Sequence, residues 1–117
     1  MAGQTLGLGE PLIPQPSLTL PALRAAVAAV APGRLPEMFT KMQDAFVRAG
    51  EENSAIPIHM FYREWAVVVE IERHPDTAAR LHAAEQALMS ADAQVRETAI
   101  REAGEIARAA HRTVAGE

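Results

Sequence analysis

The chain has 117 residues, no cysteine, and a formal net charge of −4. This length is typical of one domain that buries a core without covalent cross-links. The lack of cysteine excludes disulfides, thiolate catalysis and cysteine-ligated zinc. The acidic balance argues against nucleic acid as the main partner, because nucleic-acid-binding proteins usually present a basic surface.

The first 17 residues contain three glycines and three prolines and show no hydrophobic periodicity. Such a segment buries too little apolar surface to offset the entropy lost on ordering, so we expect a disordered tail at 1–17 and a helical domain at 18–117. No basic segment precedes an apolar stretch there, and no run approaches the ~20 apolar residues of a membrane helix. We therefore expect a cytoplasmic protein without membrane association.

Two helices are predicted in the first half of the domain. The first covers residues 20–30, where Thr19 can accept a hydrogen bond from a free amide of the first turn. The second covers residues 35–49, with Pro36 in its first turn and Gly50 just after its end. Its apolar residues recur at helical spacing and predict one packed stripe: Leu35, Met38, Phe39, Met42, Phe46 and Ala49.

The third helix is predicted over residues 56–73, which hold the only tryptophan and the only tyrosine. One broad face carries most of its large side chains, and a smaller apolar patch consists of Met60, Val67 and Ile71. A helix that is apolar around most of its circumference lies at the centre of a bundle, or a partner covers its second side. We expect Trp65 in the core with its N–H hydrogen-bonded, and Tyr62 partly exposed.

The fourth helix is predicted over residues 75–89 and the fifth over 91–113, with Ser90 as a candidate N-cap. The apolar residues of the fifth helix are mostly small, with Ile106 an exception, so it is only modestly anchored. It either packs on the fourth helix as a hairpin or projects outward. The predicted fold class is an all-α, single-domain bundle of four to five helices with a central helix at about 56–73.

Candidate metal ligands occur in pairs only. His74 follows Glu70 by four residues and Glu85 follows His82 by three, so each pair shares a helix face. Catalytic zinc needs three protein ligands, and no third converges; we expect no metal and no cofactor. No serine lies in a nucleophile motif, and we expect no enzymatic activity.

Two sets of polar residues on the third helix need interpretation: Glu72, and a stripe of three residues on another face. Glu72 lies within its aromatic face, where a carboxylate either pairs with an arginine such as Arg24 or Arg34 or reaches solvent at the helix end. The stripe of His59, Arg63 and Glu70 is most simply a solvated face.

Two segments carry a family resemblance: LRAAVAAVAPGRLP at residues 23–36, followed by Phe39 and Ala45-Phe46, and WAVVVEIERHP at residues 65–75. Over about residues 20–88 the chain resembles an actinobacterial family of small helical proteins of unknown function. The resemblance implies a helical fold and no known enzymatic activity. Some members are similar in size and setting to antitoxins beside genes for RelE-like toxins, which implies a protein-binding role.

We therefore predict a non-enzymatic protein-interaction module, such as an antitoxin-like partner of a small toxin. The residues predicted to bind the partner are Met60, Tyr62, Val67, Ile71 and Ile106. Three alternatives remain open. The same patch could close a homodimer, a pocket at His59, Arg63 and Glu70 could hold a ligand or substrate, or arginines could contact DNA. The arginines of that last alternative are Arg24, Arg34 and Arg48.

Overall fold

The computed structural model of the chain describes residues 10–116. Within that range the chain is all-helical, which confirms the predicted fold class. The five α-helices are α1 (Leu20–Val30), α2 (Leu35–Glu52), α3 (Ile56–Glu72), α4 (Pro75–Ala87) and α5 (Ala93–Val114), and a 3₁₀ turn at Pro32–Arg34 joins α1 to α2. None of these described helices is long and apolar enough to cross a membrane.

The chain divides into two compact units that share the continuous helix α3. The first unit is Ile13–Val69, which holds α1, α2 and most of α3; the second begins at Glu70 and also takes in the described residues up to Leu12. In the second unit the Leu12 N–H donates to the carbonyl oxygen of Arg73 over 2.7 Å, so this part of the predicted tail is tied to the end of α3. Residues 1–9 of the predicted tail lie outside the described range.

The helix ends follow local capping chemistry, with two departures from prediction. Thr19 caps α1 as expected and accepts from the N–H of Ala22 over 3.3 Å. Helix α2 continues past Gly50 to Glu52 and ends at Asn53, whose φ of 51° is left-handed. Asparagine tolerates that conformation better than most residues. Helix α5 is capped by Asp92, which accepts from the two N–H groups of the first turn, and not by Ser90.

The core of the first unit is built from large side chains: Leu23, Val27, Met38, Phe61, Trp65 and Val69. The rings of Phe61 and Trp65 lie 6.4 Å apart at an interplanar angle of 47°, a tilted arrangement that aromatic pairs favour. Both residues are buried, so the aromatic face of α3 is enclosed, as predicted.

Helix α3 is buried very unevenly along its length. Its first two turns are one-sided and leave Ile56 and Met60 exposed. From Trp65 to Ile71 every residue is buried except Val68, which is half-buried. Since seven consecutive residues sample the full helix circumference, this half of α3 has little exposed surface on any side.

The second unit is a helical hairpin in which α5 packs on α4. The first of the two predicted arrangements for α5 is therefore the one observed. Small side chains dominate the buried surface: Ala78, Ala84, Ala99 and Ala110 join Ile106. A salt bridge between Arg80 Nε and Glu102 Oε2, 2.8 Å long, links the two helices at their surface.

Candidate functional site

The most buried charged residue among those described is Glu70, in the last turn of α3. Its Oε1 accepts from Arg73 Nε over 2.9 Å, and its Oε2 lies 3.1 Å from His74 Nε2. The prediction of a solvated stripe through His59, Arg63 and Glu70 is therefore wrong for Glu70. Both carboxylate oxygens of Glu70 are paired with neighbours within four residues along the chain. These contacts offset the free-energy cost of burying the charge.

Glu72 also finds a histidine and not an arginine. Its Oε2 lies 2.9 Å from Nε2 of His82 on α4, and its side chain is mostly buried. Of the two interpretations, the ion pair with Arg24 or Arg34 is not observed; at the helix end the half-buried Glu72 pairs with an exposed His82. Helix α4 brings His82 back toward the end of α3, a contact between residues ten apart that periodicity alone does not reveal.

The histidines thus serve as carboxylate partners at the junction of α3 with α4. Beside them, a groove of about 340 Å³ is lined by Glu70, His74, Thr77, Glu105 and Thr113, among others. Among residues 10–116, no group of three or more histidine, aspartate or glutamate side chains is placed to hold a metal ion. The arrangement is suited to fixing the α3–α4 corner.

Trp65 lies beneath an arginine in the first unit. The guanidinium carbon of Arg34 is 5.1 Å from the ring centroid, within cation–π range. Arg34 also donates to both carboxylate oxygens of Glu37 at 3.1 Å, and this hydrogen bonding lowers the pKa of Glu37. The buried Nε1 of Trp65 has no hydrogen-bond partner within the described part of the chain, so the prediction of a satisfied N–H is wrong.

The five residues predicted to bind a partner do not form one surface. Met60 is 58% exposed and Tyr62 is half-buried, whereas Val67, Ile71 and Ile106 are buried within the chain. Helical spacing correctly places Met60, Val67 and Ile71 on one face of α3. Along that face Met60 is exposed, whereas Val67 and Ile71 are buried.

Met60 lines a groove between α2 and α3 instead. This groove, of about 460 Å³, also includes Val47 and Phe61, and charged side chains from both helices surround it. His59 and Arg63 lie with Tyr62 and Leu18 around a smaller groove of about 240 Å³. Glu70 lines the groove beside His74 instead, so among the grooves described here His59 and Arg63 share one with each other and not with Glu70.

A more apolar groove runs between α4 and α5, at a place the sequence did not single out. Its volume is about 460 Å³, and it is lined by Arg80, Ala83, Ala84, Ala87, Gln94, Val95, Thr98, Ala99 and Glu102. The Arg80–Glu102 salt bridge lies at its polar edge, and hydrogen bonding to Glu102 raises the pKa of Arg80. The small apolar residues of α5, which led to the prediction that this helix is only modestly anchored, also leave this groove open.

The loop end of the hairpin extends this apolar character. Leu88 and Met89 follow the groove residue Ala87 in sequence, and both are exposed, as is the groove residue Val95. Methionine adapts its shape to different apolar surfaces. The groove and the loop end together form the candidate functional site.

Comparison with known proteins found no match: no family model fits the chain, and neither a curated protein nor a solved structure is similar to it. The resemblance to the actinobacterial family stays a prediction that rests on the two quoted segments.

Proposed function

We propose that this chain is a non-enzymatic protein-interaction module that binds the apolar face of a partner helix in the α4–α5 groove. The observation that carries this proposal is the open groove of about 460 Å³ with alanine walls. A helix docked in a groove is a recurrent mode of peptide recognition, in which a few large side chains fill the space between two helices.

The chemistry of the lining favours binding over catalysis. Ala83, Ala87 and Val95 supply apolar surface. A leucine, methionine or phenylalanine of a partner would bury its side chain against this surface, and the loss of water from both would contribute to affinity. The charges of Arg80 and Glu102 neutralise each other across 2.8 Å. They are suited to set the register of a bound helix through hydrogen bonds at the edge of the interface.

The kind of partner is part of the same proposal. The family resemblance points to a small RelE-like toxin, and such a toxin would be met in the cytoplasm. An antitoxin of this kind would act by covering the toxin surface with the α4–α5 hairpin. The support for this step is the resemblance together with an apolar binding surface of suitable kind.

The groove can be tested with a pair of matched α5 variants. Val95→Glu places a charge in the groove, whereas Ile100→Glu places the same charge at another exposed apolar position of α5 that does not line it. Tagged wild type and both variants are used to capture proteins from the native host. We expect one partner that binds the wild type and Ile100→Glu but is lost with Val95→Glu.

A photo-reactive amino acid in place of Ala83 locates the contact. Irradiation of the captured complex should cross-link position 83 to an apolar helical segment of that partner, identified by mass spectrometry. Equal loss of the partner with both α5 variants, or no cross-link from position 83, would contradict the groove as the binding site.

The toxin step has its own experiment. The chain is co-expressed with the toxin-like gene nearest to its own, and growth is compared between wild type and Val95→Glu. Relief of growth arrest by the wild type and not by the variant would support the antitoxin-like role. Binding through the groove to a protein without toxicity would retain the interaction module and reject the toxin.

A further inference from the structure

The polar groove beside His74 lies among the end of α3, the start of α4 and the second half of α5. Its volume is about 340 Å³, within the range of small-molecule sites. All of its residues belong to the second unit. We call it the corner groove. Its lining combines buried apolar residues with polar ones: Ile71, Ile106 and Ala110 with Glu70, His74, Thr77 and Glu105.

Glu70 occupies a position in this groove that is costly for a purely structural residue. It is buried, and it lies in the last turn of α3, where the helix dipole disfavours a negative charge. Its contacts with Arg73 and His74 offset that cost, but a buried ion pair is often no more stabilising than apolar side chains of the same size. A buried carboxylate in the wall of a groove, at a place where stability does not require a charge, indicates a binding role.

Glu105 brings a second carboxylate to the groove from α5, and it forms no salt bridge within residues 10–116. Arg108, one turn further along α5, is turned away from it. The guanidinium of Arg108 folds back over Gly104, where its Nη1 lies 3.0 Å from the place a β-carbon would take. Arg80, the arginine in the groove lining, is balanced by Glu102 at 2.8 Å. Glu105 therefore leaves a negative charge in the corner groove without a counter-ion from the described part of the chain.

Other polar groups of the corner groove add acceptors. Nε2 of His74 lies 3.1 Å from Oε2 of Glu70, and in the tautomer that donates from Nε2 to this carboxylate, Nδ1 is an acceptor. The hydroxyl of Thr113 donates to the carbonyl oxygen of Ala109 over 3.1 Å, which leaves its lone pairs free to accept. The complementary ligand group carries donors only. An ammonium group has three N–H donors, no acceptor and a positive charge.

The acceptors are too dispersed for a metal ion. Glu70, His74 and Glu105 all line the corner groove, yet no group of three such side chains within residues 10–116 is placed to hold a metal. A ligand that reaches both carboxylates must therefore be extended. An alkyl chain meets this need, because it can lie against the buried isoleucines that also line the groove.

We propose that the corner groove binds a linear aliphatic diamine, with one ammonium group at Glu105, the other at the Glu70–His74 pair and the alkyl chain against Ile71 and Ile106. The ligand class follows from the unbalanced charge, the excess of acceptors and the apolar part of the lining. Arg80 lines this groove as well as the α4–α5 groove, but amine binding needs no partner protein and does not depend on the proposed function.

The experiment is isothermal titration calorimetry of the full chain with diaminobutane at low salt, where charge pairing is least screened. We expect saturable one-to-one binding, weaker binding of butylamine, and no binding of butanoate or butanol. Glu105→Gln should weaken diaminobutane binding at least about tenfold, because it removes a charge-assisted hydrogen bond. Glu97→Gln is the matched control: it removes the same charge from an exposed position of α5 outside the groove and should bind as the wild type does.

A second pair of variants locates the ligand without a change of charge. Ala109→Leu places a larger side chain in the corner groove and should abolish binding, whereas Ala79→Leu, at an exposed position of α4 outside its lining, should not. Circular dichroism checks the fold of each variant.

Three results would overturn the site: no binding of diaminobutane, full binding by Ala109→Leu, or equal affinities of Glu105→Gln and Glu97→Gln, which would mean general attraction to an acidic chain. Equal affinities of butylamine and diaminobutane would overturn the second contact, at Glu70.

Discussion

The buried side chains of the first unit are large, whereas those of the second are mostly alanine. Trp65, Phe61 and Leu23 fill the core around the first part of α3, while Ile106 stands among buried alanines between α4 and α5. Burial contributes about 25 cal/mol per Å² of apolar surface, so one tryptophan outweighs several alanines. Packing therefore stabilises the first unit more per residue than the second.

The second unit combines its small buried side chains with several ion pairs. Glu70 is held by Arg73 and His74, Glu72 by His82, and the two helices of the hairpin by the Arg80–Glu102 salt bridge. The same small side chains leave the α4–α5 groove open. Weak packing and the candidate binding surface therefore have one cause, and predictions about stability can test that link.

The largest effect should come from the tryptophan. Trp65→Ala removes the largest fully buried side chain of the described residues and should lower the free energy of unfolding by about 3–5 kcal/mol. Trp65→Phe should cost much less, because it keeps most of the ring volume and removes a buried N–H that has no partner. Urea unfolding followed by circular dichroism measures both, and equal losses for the two variants would contradict this account of the core.

The second-largest effect should come from Ile106, the one large buried residue of the described α4–α5 hairpin. Ile106→Ala should cost about 2–4 kcal/mol, and hydrogen exchange should show faster amide exchange along α4 and α5. Ile100→Ala is the control, because Ile100 is exposed on the same helix and should change stability by less than about 0.5 kcal/mol. A negligible loss for Ile106→Ala would mean that alanine contacts and polar ties alone hold the hairpin.

A smaller effect should follow from weakening the buried carboxylate. Glu70→Gln keeps the shape but removes the charge that faces Arg73 and His74, and hydrogen bonds to charged groups contribute about 1.5–3 kcal/mol. Glu64→Gln, at an exposed position on the same helix, is the control. Chemical denaturation of both variants should show a loss for Glu70→Gln alone; equal stability would show that the cluster is not needed at the α3–α4 corner.

Local signals in the sequence were enough to place the helices. Thr19, Pro36 and Pro75 mark helix starts, and every predicted helix lies within a few residues of its observed bounds. Asn53 and Asp92 replace Gly50 and Ser90 as end residues because a capping role depends on backbone conformation, which residue type only biases.

The surfaces were harder to predict than the helices. Periodicity identifies the apolar face of α2 or α3 but not how far neighbouring elements cover it. This is why Phe39 and Phe46 are exposed although a packed stripe was expected, and why Val67 and Ile71 are buried although a binding patch was expected. The α4–α5 groove depends on the separation of two helices, which alanine spacing alone does not specify.

The smallest effect concerns the salt bridge between Arg34 and Glu37 beside Trp65, and it sharpens the contrast between exposed and buried ion pairs. The pKa of Glu37 is lowered from its ordinary value of 4.5 by the hydrogen bond from Arg34. Its unfolded pKa is the higher one, so the pair stabilises the fold above about pH 4.5 and loses this contribution as the pH falls through the lowered pKa of the folded state.

Both partners are about half-exposed, so the contribution should be a few tenths of a kcal/mol and should shrink in high salt. Glu37→Gln cannot ionise and should be slightly less stable than the wild type at neutral pH and equally stable at strongly acidic pH. Thermal unfolding of both proteins across this pH range measures the difference. A gap that stays constant from neutral to strongly acidic pH would mean that Glu37 acts through the shape of its side chain and its hydrogen bonding to Arg34, and not through its charge.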